Sequence, residues 1–234
     1  MTFSPDQIVL VEWGWGRINA TLLATWFEML LLVAGARTVT SRLTSEPRIS
    51  RWQNLLEILV AGITSHIEEV THRRPEPFLP FVGTLFLFIL LSNLLAVVPF
   101  YPPPTGALST TTALALCVFV AVPYYGLKSR GAWDYLRQYG EPGLFMLPFN
   151  ILGEISRTFA LAVRLYGNVM SGTVIGAVLL LIVPLVLPVV MKGLGLLTGV
   201  IQAYIFALLA LVYIASALKP AENLPEGKEA RQGN

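Results

Sequence analysis

A single cysteine, Cys117, and only two histidines occur in the chain. One cysteine excludes an internal disulfide and any multi-cysteine metal site. Set inside an apolar run, it reads as a small packing residue. Charge is also scarce. Asp, Glu, Lys and Arg make up 13% of the 234 residues, and the formal net charge is +2. That is too little for nucleic-acid binding, and the basic residues fall between apolar segments rather than along one stripe. The sequence has no Gly-rich phosphate loop, no His/Cys metal spacing, no Ser/His/Asp set and no redox motif. No cofactor is therefore expected, and no active site for ATP chemistry or other group transfer. Met1 to Gly16 does not resemble a cleaved signal, since Asp6 and Glu12 precede any apolar run and the start is not basic.

What the chain has instead is apolar length. Hydrophobic residues make up 55% of it, and its mean hydropathy is +0.67. These values define a polytopic, all-α membrane protein. Residues 1–17 read as an outer-side leader with Trp13 and Trp15 at headgroup level. A first span covers 18–36, with Glu28 as its only interior charge. That carboxylate is expected to face either a partner helix or polar cavity, or an interface. The linker after it holds Arg37, Arg42, Arg48 and Arg51 against Glu46. An excess of basic residues places it in the cytoplasm and the N-terminus outside.

Residues 52–70 repeat apolar positions at helical spacing, interrupted by Gln53, Glu57, His66 and Glu69, and so predict an amphipathic helix. His66, Glu68 and Glu69 project at successive helix angles and cannot converge on one metal ion. Arg73, Arg74 and Pro75 mark a boundary. A second span follows at 78–100 and a third at 108–127, joined by Tyr101-Pro-Pro-Pro104 as an extended outer loop. Lys128 and Arg130 return the third span to the cytoplasm. Residues 131–146 read as an interfacial helix, and 219–234 as a cytoplasmic tail.

Thr158 to Met191 is an apolar stretch of 34 residues broken by one charge, Arg164. As continuous helix it would be about 51 Å long, against a hydrocarbon core of about 30 Å. Helices at 148–183 and 192–218, of about 54 and 40 Å, would form a steeply tilted hairpin, turned at Pro184 and Pro188. The whole then has about five membrane helices. Arg157, Leu161, Arg164, Asn168 and Ser171 recur every three or four residues and share a face, a polar track in an apolar helix. An arginine at this depth is costly and marks a functional site. Its guanidinium stays protonated, so it can draw a carboxylate into its ionised form. Gln202 on the second helix is expected to neighbour it without neutralising it, while Tyr204 could be an ordinary core aromatic. Gly167, Gly172, Gly176, Gly193, Gly195 and Gly199 suit close helix packing, and Lys192 should snorkel to the outer interface.

At Leu161-Ala-Val-Arg-Leu-Tyr-Gly-Asn168 the sequence resembles the a subunit of the membrane sector of rotary F-type ATP synthases. Phe81 to Asn93, Ser109 to Leu116, Leu147 to Leu152 and Gln202 to Phe206 extend the resemblance over roughly residues 50–218. The resemblance implies a stator subunit with two half-channels against a rotating c ring, coupling H+ or Na+ flow to rotation. It also implies b-type peripheral stalk partners and a bacterial inner membrane. Arg164 would force the ion off the ring carboxylate and block a short circuit. The implied ion path includes Glu154, Asn168, Ser171, Thr173, Gln202 and Asn93. Several family acids and a histidine are missing here, their places taken by Ala96, Ala107, Thr173 and Gly195. The proton relay is thus thin, and sodium is an alternative. The leader resembles the bacterial N-type subgroup, in which sodium is usual. A different class of function, a self-contained secondary transporter with a midplane site at Arg164, would suit two related halves. The sequence shows no internal repeat.

Overall fold

The computed structural model describes residues 9–13, 16–40, 51–98, 101, 103–131, 147–182 and 186–218. A short antiparallel ribbon, β1 (Val9–Trp13) and β2 (Gly16–Asn19), stands where a plain leader was expected. Among the described residues six α-helices follow: α1 (Ala20–Thr40), α2 (Arg51–Thr71), α3 (Leu79–Leu95), α4 (Leu108–Arg130), α5 (Leu147–Ile182) and α6 (Val186–Ala217). The architecture is all-α apart from the ribbon. α1, α4, α5 and α6 are long and apolar enough to cross a membrane. α3 has 17 residues, about 25 Å of helix, and is shorter than the 78–100 span expected from hydropathy. The expected interfacial helix lies outside the described residues except for Gly131, as do the 219–234 tail and most of the basic linker after α1.

Two hydrophobic clusters hold the bundle together, and α6 contributes to both. Ala203, Phe206, Ala207, Ala210, Leu211 and Ile214 are buried. Their spacing of three and four residues puts them on one stripe, and three alanines let neighbouring helices approach closely. One cluster gathers Ile67 of α2, Val82 of α3 and Val122 of α4 around Leu211 and Ile214. The other gathers Leu85, Phe88 and Ile89 of α3, Ala115 and Val118 of α4, and Leu161 and Leu165 of α5 around Phe206. α6 therefore packs on α2, α3 and α4 along one stripe, whereas α5 meets the bundle mainly through Leu161, Ala162 and Leu165 and leaves most of its surface uncovered.

Turn chemistry sets the ends. α2 stops at Thr71, and His72 takes φ +49°, so the chain reverses before Arg73, Arg74 and Pro75. Arg73 donates to the Ser129 hydroxyl at 3.0 Å, and Tyr125 donates to the Pro77 carbonyl at 3.0 Å. These bonds tie the α2–α3 junction to the end of α4. The proline loop does not stay extended on the outside. Pro103 is extended, but Pro104, Thr105 and Gly106 form a buried 3-10 turn that dips back into the bundle. α6 begins at Val186 rather than at Lys192, because Pro188 falls within its first turn, where no intrahelical N–H bond is lost. α5 and α6 have 36 and 32 residues, about 54 and 48 Å. Both exceed the apolar core thickness and fit a tilted hairpin.

Three packing expectations change. Cys117 is exposed on α4 rather than packed. Tyr204 is also exposed, and its hydroxyl lies 3.3 Å from Nε2 of His66. Of the six hairpin glycines, only Gly199 sits at a close approach. A Cβ built there would lie 2.9 Å from the Asn93 Cβ, whereas at the other five it would meet nothing within 4 Å. Gly199→Ala should therefore overpack the α3–α6 contact by about 1–3 kcal/mol. The check is a lower thermal midpoint for the purified protein, with Gly193→Ala, in open space, unchanged.

Candidate ion pathway

α5 carries the charged positions. Leu161, Ala162 and Leu165 are buried against α3, α4 and α6. Ala160, Val163, Arg164, Ser171, Ile175 and Val178 are exposed. The expected polar track is thus split along its length, since Leu161 belongs to the packed side and Arg164 to the free side. Among the described residues no hydrogen bond or ion pair engages Arg164. A permanent cation stands on an apolar, uncovered helix face.

Two cavities lie on either side of it along the bundle. The first, of about 480 Å³, is lined by Asn150, Glu154, Arg157 and Thr158 of α5, by Val118 and Val122 of α4, and by Tyr213 and Ser216 of α6. The Arg157 guanidinium lies over the Tyr213 ring at 5.7 Å, a cation–π contact that holds it at the cavity wall. Thr158 donates to the Glu154 carbonyl at 3.0 Å. The second cavity, of about 340 Å³, lies at the other end, between the end of α3, the second half of α5 and the start of α6. Asn93, Tyr101, Asn168, Thr173 and Lys192 supply its polar lining, and Gly172, Gly176, Gly195 and Gly199 its open wall. Gly172, Gly176 and Gly195 make space rather than contact, whereas Gly199 closes on Asn93, and Lys192 faces this space. Arg164 lines neither cavity. It sits about 9 Å along the axis beyond Thr158 and about 6 Å before Asn168.

The remaining expected path residues divide. Asn93 is buried, donates from Nδ2 to the Gly199 carbonyl at 2.8 Å and accepts from the Thr105 hydroxyl at 3.2 Å. The Ser171 hydroxyl donates to the Asn168 carbonyl at 3.1 Å, and that of Thr173 to the Met170 carbonyl at 2.9 Å. Both hydroxyl protons are thereby turned back onto their own helix, and Ser171 lines neither cavity. Gln202 is 7% exposed, and its Nε2 has no hydrogen-bond partner among the described residues. Among the described residues no bond joins it to Arg164.

Hydropathy did not foretell one constellation. Glu28 of α1 is 0% exposed and accepts from the Tyr101 hydroxyl at 3.2 Å. Beside it Thr105 links Ser92 and Asn93, its hydroxyl 3.0 Å from the Ser92 oxygen and 3.2 Å from the Asn93 Oδ1. The only sequence signal was a lone acid in an apolar span; nothing local linked it to Tyr101.

A cavity with polar groups in its lining lies on each side of a hairpin helix face that holds one fixed cation. With four helices long and apolar enough to cross a membrane, the chain is a polytopic membrane protein. Comparison with known proteins makes the assignment particular. The sequence model of the ATP synthase A chain family matches residues 22–215, and the chain belongs to that family. It is 60% identical to "ATP synthase subunit a 2" of Picosynechococcus sp. over 217 residues, 93% of each chain. It is 54% identical to "ATP synthase subunit a" of Albidiferax ferrireducens over 229 residues, 98% of this chain and 99% of that one. Its identity to "ATP synthase subunit a 1" of Chlorobaculum parvum is 54% over 222 residues.

Proposed function

We propose that the two cavities are the half-channels of an ion-conducting stator subunit, and that Arg164 is the barrier and release group between them. Family membership supplies the stator role in the membrane sector, and with it a c ring as partner. The observation that carries the finer reading is the placement of Arg164: exposed, unpaired among the described residues, and between two cavities, each with polar groups in its lining. Its carboxylate partner then comes from the ring, which covers the free face of α5. An ion enters one cavity, transfers to a ring carboxylate and travels with rotation. As the carboxylate returns, Arg164 stabilises its ionised form, and the ion leaves through the other cavity.

Glu154 and Arg157 belong to the cavity expected on the cytoplasmic side, and Asn168, Thr173 and Asn93 to the outer one. Gln202, with a free amide donor in the buried stripe of α6, positions the region around Arg164 without neutralising it. The orientation we infer, N-terminus outside and C-terminus in the cytoplasm of a bacterial inner membrane, is supported by the basic residues after α1 and at the end of α4. b-type stalk subunits would hold the subunit still. The carried ion is a proton or sodium, selected mainly by ligands on the ring.

Cysteine accessibility tests the two-cavity arrangement. In a Cys117→Ser background, Thr173→Cys should be blocked by a membrane-impermeant thiol reagent added from the outer side only. Asn150→Cys should be blocked from the cytoplasmic side only. Labelling of both from one side would refute opposed half-channels. Glu154→Gln should slow ion release and reduce ATP-driven pumping by about tenfold, measured as the rate of vesicle acidification or sodium uptake. An unchanged rate would remove Glu154 from the path.

A further inference from the structure

We propose that Glu28 is the proton-exchanging carboxylate of the outer cavity, loaded and unloaded through the Tyr101 hydroxyl; this rests on the half-channel reading above. Glu28 is fully buried on α1. Its Oε1 accepts from Tyr101 at 3.2 Å, while Oε2 has no hydrogen-bond partner among the described residues. Tyr101 is half-buried and lines the cavity, so one hydrogen bond separates the carboxyl from the cavity space. The Tyr101 ring packs against Phe27 at 6.4 Å, and its hydroxyl also lies 3.4 Å from the Ala24 carbonyl. Both contacts hold the hydroxyl against α1.

A buried carboxylate is retained at such cost only where it is paired or used. No cation pairs with Glu28 among the described residues. α3 and the 3-10 turn offer it Ser92 and Thr105, neither of which titrates. Tyr101 is the titratable group beside it, and Lys192 lines the same cavity from α6 without an ion pair to it. Arg17, on β2, precedes α1 and lies more than two helical turns away. In loading, the Tyr101 O–H bond breaks as its proton moves to Oε1 of Glu28. In the same step the phenol oxygen takes a proton from a hydronium ion in the cavity, leaving water. Unloading reverses both transfers. Glu28 thereby stores one proton beside the half-channel, and its contribution grows as free protons become scarce.

The test is ATP-driven acidification by the intact complex in vesicles, followed from acid to alkaline pH. Glu28→Gln keeps an acceptor for Tyr101 but cannot exchange a proton. It should lower the rate by about tenfold at alkaline pH and have little effect at acid pH. Tyr101→Phe, which keeps the ring against Phe27, should show the same pH pattern. A Glu28→Gln rate equal to wild type at every pH, or lowered equally at every pH, overturns the proposal. So does a loss that follows sodium concentration rather than pH. If Glu28→Gln does not assemble with the c ring, Tyr101→Phe decides by the same criteria. Arg164→Ala in parallel separates the two levels, since normal pumping by that variant would sink the half-channel reading itself.

Discussion

Arg164→Ala should abolish coupled ATP synthesis and ATP-driven pumping, leaving an assembled complex that leaks ions passively. Thr158 to Met191 carries no other charge, and Arg164 stands exposed on α5 between the two cavities. Unit charges at about 4 Å interact by about 4 kcal/mol at an effective dielectric constant of about 20. Loss of that attraction corresponds to roughly a thousandfold in rate. Removing the cation takes away both the force that ionises the returning carboxylate and the charge that repels a passing ion. Coupled activity should fall by more than about a hundredfold even with partial compensation. Arg164→Lys should rescue little, because an ammonium group is more compact and can shed its proton when desolvated. The measurements are ATP synthesis, ATP-driven pumping and passive ion flux in vesicles, with c-ring content confirming assembly. Normal synthesis by an assembled Arg164→Ala complex would refute the role given to this residue.

Gly176→Trp should also stop ion flow, but without a leak. Gly176 lines the outer cavity, and a Cβ there meets nothing within 4 Å. An indole can therefore enter the cavity without first displacing the backbone. The cavity has about 340 Å³, and an indole side chain placed in it would fill much of the space through which an ion and its water must pass. Both synthesis and pumping should drop by more than about tenfold, while passive flux stays at the wild-type level because Arg164 is intact. Gly193 has equally open surroundings but does not line the cavity, so Gly193→Trp should be close to neutral. Equal effects at the two positions would mean that the cavity carries no current. Opposite leak phenotypes in Arg164→Ala and Gly176→Trp would distinguish loss of the barrier from loss of the conduit.

Comparing sequence with structure at particular residues shows where local patterning suffices. Helix existence followed from hydropathy, and the over-long hairpin followed from counting residues against membrane thickness. Boundaries moved where turn chemistry overrode the count. Pro188 entered the first turn of α6 instead of ending the corner, and Pro104 opened a buried turn instead of extending an outer loop. The face shared by Leu161 and Arg164 could be counted in sequence, but its division between core and surface could not. The hairpin glycines are the clearest case. Spacing offered six close-packing sites, of which one approaches Asn93 and three more line the cavity.

By itself the sequence determined a membrane protein of several helices, a tilted hairpin, and one charge without a partner of its own. Each of these depends on residues close together along the chain, through transfer cost and helical period. Only the tertiary structure decided that a cavity lies on each side of Arg164, that Cys117 and Tyr204 face outward, and that Glu28 meets Tyr101. Those two residues are 73 positions apart, and their meeting depends on how α1 packs against α3 and the proline turn. Periodicity shows that a helix has two faces. Which neighbour each face meets is settled only when distant segments compete to bury the same apolar surface.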